Sequence, residues 1–175
     1  MSLKSYTIAV LVEDLYEDLE LWYPVHRLRE EEAKVVLVGP EKDRTYSSKH
    51  GYPARVEWSA DDVLPENLDG IVIPGEYAPD RMRRCAAMVD LVAKVDELGR
   101  VVAAICHGPW MLCSANVVSG RCVTGFFSIK DDLVNAGAAW CDEPVVEDKN
   151  MITSRTPDDL PVFVKQIIAK LVAAK

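Results

Sequence analysis

The stretch of this 175-residue chain best equipped for chemistry is Ala103-Ala104-Ile105-Cys106-His107-Gly108-Pro109. An apolar run, Val101–Ile105, ends on a thiol, and a proline suited to the first turn of a helix follows shortly after. A strand that turns into a helix at one residue pushes that side chain out of the sheet. A cysteine so placed sits near a helix N-terminus, whose partial positive charge favours thiolate over thiol. His107 is adjacent as a candidate base, and Gly108 lets the backbone turn tightly. The competing reading is that Cys106 is a small buried hydrophobe, as most free cysteines are.

Two other stretches follow apolar strands. After residues 7–12 come Glu13, Asp14, Glu17, Asp18 and Glu20. Of these, Glu17 is the candidate to reach the sulfur, and it helps a thiolate only if protonated and donating a hydrogen bond. Otherwise the acidic run simply complements a helix dipole. After Gly70–Ile73 come Pro74-Gly75-Glu76, either oxyanion donors through their backbone N–H groups or a plain turn. His26 reads as a surface residue, and His50 is a weaker candidate in a polar loop. Cys85 and Cys113 read as core, and Arg81, Arg83 and Arg84 as a solvated face.

These residues need an α/β scaffold. Apolar runs at 7–12, 34–38, 70–73 and 101–105 read as buried parallel strands. Helical periodicity covers 18–32, 80–98, 109–115, 129–136 and 157–174. On the 80–98 helix, Met82, Cys85, Ala86, Val89, Val92 and Ala93 form the expected apolar stripe. A hairpin is expected over 46–58, and short strands near 121–124, 145–147 and 151–153. Strands alternating with helices predict a mostly parallel sheet, with ligands beyond the carboxyl ends of its strands.

Composition narrows the function. Hydrophobic residues make up 49% and charged residues 27%, as in one folded domain over residues 1–175. With 28 acidic and 20 basic residues the net charge is −8, which disfavours nucleic-acid binding. No apolar run approaches a membrane span. No signal peptide is recognisable, so the expected compartment is the cytoplasm. The five cysteines are odd in number and none stands in C-x-x-C spacing, and no H-E-x-x-H occurs. No metal and no cofactor is expected.

The chain resembles the PfpI intracellular cysteine proteases of the ThiJ/PfpI superfamily along nearly its whole length. The resemblance rests on YEDLELWYPVHRL (16–28), KHGYPARV (49–56), IVIPGEYAPDRMR (71–83), AICHGPWML (104–112), IKDDLVNAGAAW (129–140) and SRTPDDLP (154–161). It implies a flavodoxin-like sandwich with helices on both faces of the sheet. Cys106 would be the nucleophile, His107 its base and Glu17 the carboxyl on the sulfur. In protease-like members an acidic residue reaches the histidine of a neighbouring subunit. Here that residue would be Asp80, one methylene shorter than the family's glutamate, which implies a homodimer or higher homo-oligomer.

The family's Pro-Gly-Gly reads Pro74-Gly75-Glu76 here, which costs glycine's freedom at positive φ. It also brings a carboxylate near a developing oxyanion. Tyr77 and Trp110 would narrow the pocket. The implied activity is a Cys106-dependent hydrolase acting on peptides, or a glyoxalase- or deglycase-type enzyme acting on small carbonyl compounds. The alternative is a redox or stress-response protein with an oxidisable Cys106.

Overall fold

A computed structural model describes residues 2–173. The end of the last predicted helix at Ala174 lies outside them. The strands are β1 (Thr7–Leu11), β2 (Lys34–Gly39), β3 (Thr45–Ser47), β4 (Pro53–Arg55), β5 (Trp58–Ser59), β6 (Gly70–Ile73), β7 (Val101–Ile105), β8 (Cys122–Val123), β9 (Ala139–Trp140), β10 (Val145–Asp148) and β11 (Met151–Ser154). The helices are α1 (Asp18–Glu30), α2 (Ala78–Met82), α3 (Ala86–Glu97), α4 (Pro109–Ser114), α5 (Lys130–Asn135) and α6 (Leu160–Ala173).

A seven-stranded sheet runs in the order β10-β11-β7-β6-β1-β2-β5. All its pairings are parallel except β10 with β11. The central strands are apolar throughout because both faces are covered; every residue of β6 and β7 is buried. The connection β1-α1-β2 moves one way along the sheet, whereas β6-α3-β7 moves the other. Right-handed crossovers in opposite directions lie on opposite faces. Accordingly α1 packs with α6, and α3 with α4. The chain reverses direction between β1 and β6, and the crevice beyond the carboxyl ends at such a point is where open α/β sheets bind ligands. This is a flavodoxin-like fold.

The predicted helix over 80–98 is broken. Cys85 is extended (φ −97, ψ 108) and caps α3, so α2 and α3 are separate. The break also rotates the apolar stripe. Met88, Leu91, Val92 and Val95 are buried, whereas Ala86 is exposed and Val89 half-buried. The chain near 121–124 forms β8, which leaves the main sheet and pairs with β9. The predicted hairpin is present as β3 and β4, with the Tyr46 ring buried beneath it. Among the described residues no helix is long and apolar enough to cross a membrane.

Gly108 permits close approach where β7 hands over to α4. A Cβ there would lie 2.5 Å from the Ile73 carbonyl oxygen and 2.7 Å from that of Ile105. Gly108→Ala is therefore expected to destabilise the fold by about 1–3 kcal/mol. The readout is a lower urea midpoint at unchanged slope, and an unmoved midpoint would refute the packing argument.

Candidate active site

Cys106 sits where β7 ends, in the left-handed region at φ 60. For a residue with a Cβ this conformation costs about 1–2 kcal/mol. Hydrogen bonds on both sides hold it there. Its N–H donates to the Ser154 carbonyl (3.1 Å), its carbonyl accepts from the Phe126 N–H (2.9 Å), and the Gly108 N–H donates to Ile105 (2.7 Å). The side chain is thereby turned out of the sheet, yet the residue stays only 6% exposed.

The carboxyl beside the sulfur belongs to Glu20, not to Glu17. Glu17 is the N-cap of α1, and its side chain accepts from the Glu20 N–H at 2.9 Å. A capping side chain is folded back onto its own helix and cannot also cross the crevice. Glu20, one turn in, is fully buried. Its Oε2 accepts from the Gly75 N–H at 2.7 Å, and its Oε1 is buried with no nitrogen or oxygen partner. The carboxyl is in hydrogen-bond contact with the Cys106 side chain. Gly75 has to be glycine: a Cβ would stand 2.7 Å from both the Cys106 Cβ and Glu20 Oε2, and 2.8 Å from the His107 nitrogen.

Burial, opposed by the Gly75 N–H, pushes the Glu20 carboxyl up to about 8. Glu20 is therefore neutral at pH 7, and because Oε2 accepts from Gly75 its proton belongs on Oε1. Burial and an ionised Glu20 both push the Cys106 thiol up, whereas the backbone N–H groups of Glu76 and His107 pull it down. Protonating Glu20 removes the repulsion and leaves those donors in place. An ionised Glu20 and a Cys106 thiolate therefore disfavour each other.

His107 Nδ1 lies 3.2 Å from the sulfur and Nε2 lies 3.2 Å from Ser128 Oγ. The ring packs between Trp110 and Phe126, at centroid distances of 5.1 and 4.9 Å. Burial lowers its pKa, leaving a neutral imidazole that can take a proton. Trp110 is held by its Nε1 donating to Asp132 Oδ2 at 2.8 Å.

The expected free oxyanion donor at Gly75 is occupied by Glu20, and the N–H of Glu76 is directed at the sulfur. Glu76 adopts φ 60, the strain expected once glycine is lost. Its carboxylate turns to Lys49, with Nζ and Oε2 2.9 Å apart, so its charge is countered.

Residues 6–170 match the model of the DJ-1/PfpI family. The chain belongs to the DJ-1/PfpI family. A Pyrococcus abyssi relative named a deglycase is 42% identical over 164 residues, which cover 94% of this chain and 98% of its own. A Bacillus subtilis relative whose name places it with the cysteine proteases is 38% identical over 159 residues, 91% of this chain and 94% of its own. The crystal structure of Drosophila melanogaster DJ-1beta superposes with a TM-score of 0.89 at 28% identity, covering 98% of this chain and 91% of that one.

The site gathers from the segments that follow β1, β6 and β7. Within one chain Asp80 accepts from Arg84, and the outer nitrogen of His107 faces a serine rather than a carboxylate. His50 is engaged by Asp18 at 2.9 Å. Among the described residues no group of three or more His, Cys, Asp or Glu could hold a metal.

Reading the residues missed Glu20, Ser128, Phe126 and Lys49. Glu20 had a signal: it precedes buried Pro24 and Leu28 at helical spacing, so its side chain shares their inward face. Ser128 and Phe126 had none, because they reach His107 through tertiary folding alone.

Glu20 makes stability depend on pH. Its folded value near 8 lies above the ordinary 4.5, so the folded chain keeps a proton that the unfolded chain loses in that window. Stability is then lost as pH rises from 4.5 to about 8. Glu20→Gln, which mimics the neutral acid, should flatten this loss in urea titrations. Glu17→Ala should instead cost about 1 kcal/mol of capping at every pH above the carboxyl range. Parallel pH profiles for wild type and Glu20→Gln would refute the assignment.

Proposed function

We propose that the protein is a Cys106-dependent enzyme acting on small reactive carbonyl compounds, of the deglycase or glyoxalase kind. The supporting observation is the sulfur itself, 6% exposed and held between the neutral Glu20 carboxyl and the His107 imidazole. A two- or three-carbon carbonyl compound can reach such a sulfur, whereas a folded polypeptide cannot. The deglycase name of a relative 42% identical agrees with this.

The chemistry begins with attack of the sulfur on the carbonyl carbon, the thiol proton passing through His107 to the carbonyl oxygen. A carbon–sulfur bond forms and the carbonyl pair moves to oxygen, where the Glu76 and His107 N–H groups and the Glu20 proton can receive it. In the resulting hemithioacetal, neutral His107 can remove the carbon-bound proton and return it to the adjacent carbonyl carbon. That leaves a thioester, which water hydrolyses to a hydroxy acid and the free thiol.

Peptide hydrolysis would call for more. His107 lacks a carboxylate partner within the chain, so Asp80 of a second copy would have to leave Arg84 and reach it. Sedimentation at micromolar concentration tests for the homo-oligomer that this requires.

Methylglyoxal and a fluorogenic peptide assayed side by side separate the readings. The expected outcome is methylglyoxal turnover that falls to background in Cys106→Ser, with little cleavage of the peptide. Peptide cleavage that depends on Cys106 would overturn the small-carbonyl reading. Selective peroxide oxidation of Cys106 without turnover of either substrate would favour the redox protein.

A further inference from the structure

Tyr16 is the backbone pivot at the mouth of the crevice. It bridges to Ser48 on one side and to Glu76 on the other. The Lys49 N–H donates to the Tyr16 carbonyl at 3.0 Å. The hairpin β3-β4 and the loop after β6 are thus held side by side, and Lys49 meets Glu76 across Tyr16, with Nζ and Oε2 2.9 Å apart. The Glu76 N–H is on the Cys106 sulfur while its carboxylate is on Lys49. The ammonium is therefore linked to the reacting atom through the single residue Glu76.

This cation stands out against its surroundings. The chain carries a net charge of −8, and the carboxyls of Glu17, Glu20 and Glu76 all lie on this side of the crevice. Lys49 is the cation whose charge reaches His107. Arg83 is engaged elsewhere, its guanidinium over the Trp110 ring at 5.9 Å and its Nε donating to Ser114 Oγ at 2.8 Å. The Lys49 and Glu76 side chains are 33% and 39% exposed, so the pair is open enough to be separated by a competitor.

We infer that Lys49 is a substrate-binding residue and that the Cys106 site takes small carbonyl compounds bearing a carboxylate, the Glu76 carboxylate holding the substrate carboxylate's place in the resting protein. The inference rests on the reading of Cys106 as a nucleophile toward small carbonyl compounds. A lone ammonium suits a singly charged carboxylate; a phosphate would call for the denser donor set of an arginine fork or a backbone nest. In an acidic protein a local cation is also what allows an anion to approach the sulfur at all. When the substrate carboxylate takes Lys49, Glu76 is released to solvent.

Alkylation of Cys106 by iodoacetate, an anion, and by iodoacetamide, its neutral counterpart, tests this without requiring turnover. Rates are read at Cys106 by peptide mapping. Lys49→Gln is expected to slow iodoacetate about threefold to tenfold relative to iodoacetamide, and Glu76→Gln to speed it by a similar factor. Both effects should shrink with added salt, and Arg83→Gln should leave the ratio unmoved. The same split should appear in KM, with 4,5-dioxopentanoate, an α-oxoaldehyde bearing a carboxylate, affected and methylglyoxal spared. A probe ratio unchanged by Lys49→Gln would overturn the assignment. Failure of Cys106 to react with iodoacetamide would instead remove the nucleophile reading beneath it.

Discussion

The site depends on one hydrogen bond, from the Gly75 N–H to Glu20 Oε2 at 2.7 Å. It joins the loop after β6 to the first turn of α1, and both lie against Cys106 at the end of β7. Because Oε2 is occupied by a backbone donor, the proton of the neutral acid belongs on Oε1. A buried carboxyl with a single donor is poorly compensated as an anion, which is why it stays protonated near neutral pH. The same constraint excludes any side chain at position 75.

Around this bond the fold stores strain at two residues. Cys106 and Glu76 both adopt φ 60, although neither is glycine. Their neighbours leave no alternative. Cys106 is pinned through its N–H and its carbonyl, and Glu76 is held by its bridge to Tyr16. Such strain persists only where the surroundings over-determine it, and here it aims a sulfur and a backbone N–H at each other. The glutamate at position 76 also puts an ion pair with Lys49 at the crevice mouth.

Much of this was legible from the residues in order. The long apolar runs could only be buried strands. The Cys-His-Gly-Pro turn after one of them could only present its thiol at the sheet's carboxyl edge, where Cys106 lies. Legibility failed where the local signal was ambiguous. Residues 80–98 carry a helical pattern throughout, and only packing against the sheet selects a break at Cys85 and the stripe of Met88, Leu91, Val92 and Val95. Choosing between Glu17 and Glu20 required knowing where α1 begins, since a shift of three residues converts a capping side chain into a buried one.

By itself, the sequence determined the α/β class, the parallel sheet and the placing of Cys106 and its adjacent histidine at the end of a central strand, because period, burial and turn chemistry are local properties. Only the tertiary structure decided which carboxyl meets the sulfur, that the Gly75 N–H is already engaged, and that Glu76 turns toward Lys49. Those outcomes depend on the ends of β1, β6 and β7 converging from separate parts of the chain. Pattern along a strand or helix says which way a side chain faces, but not which atoms from distant segments come to stand against it.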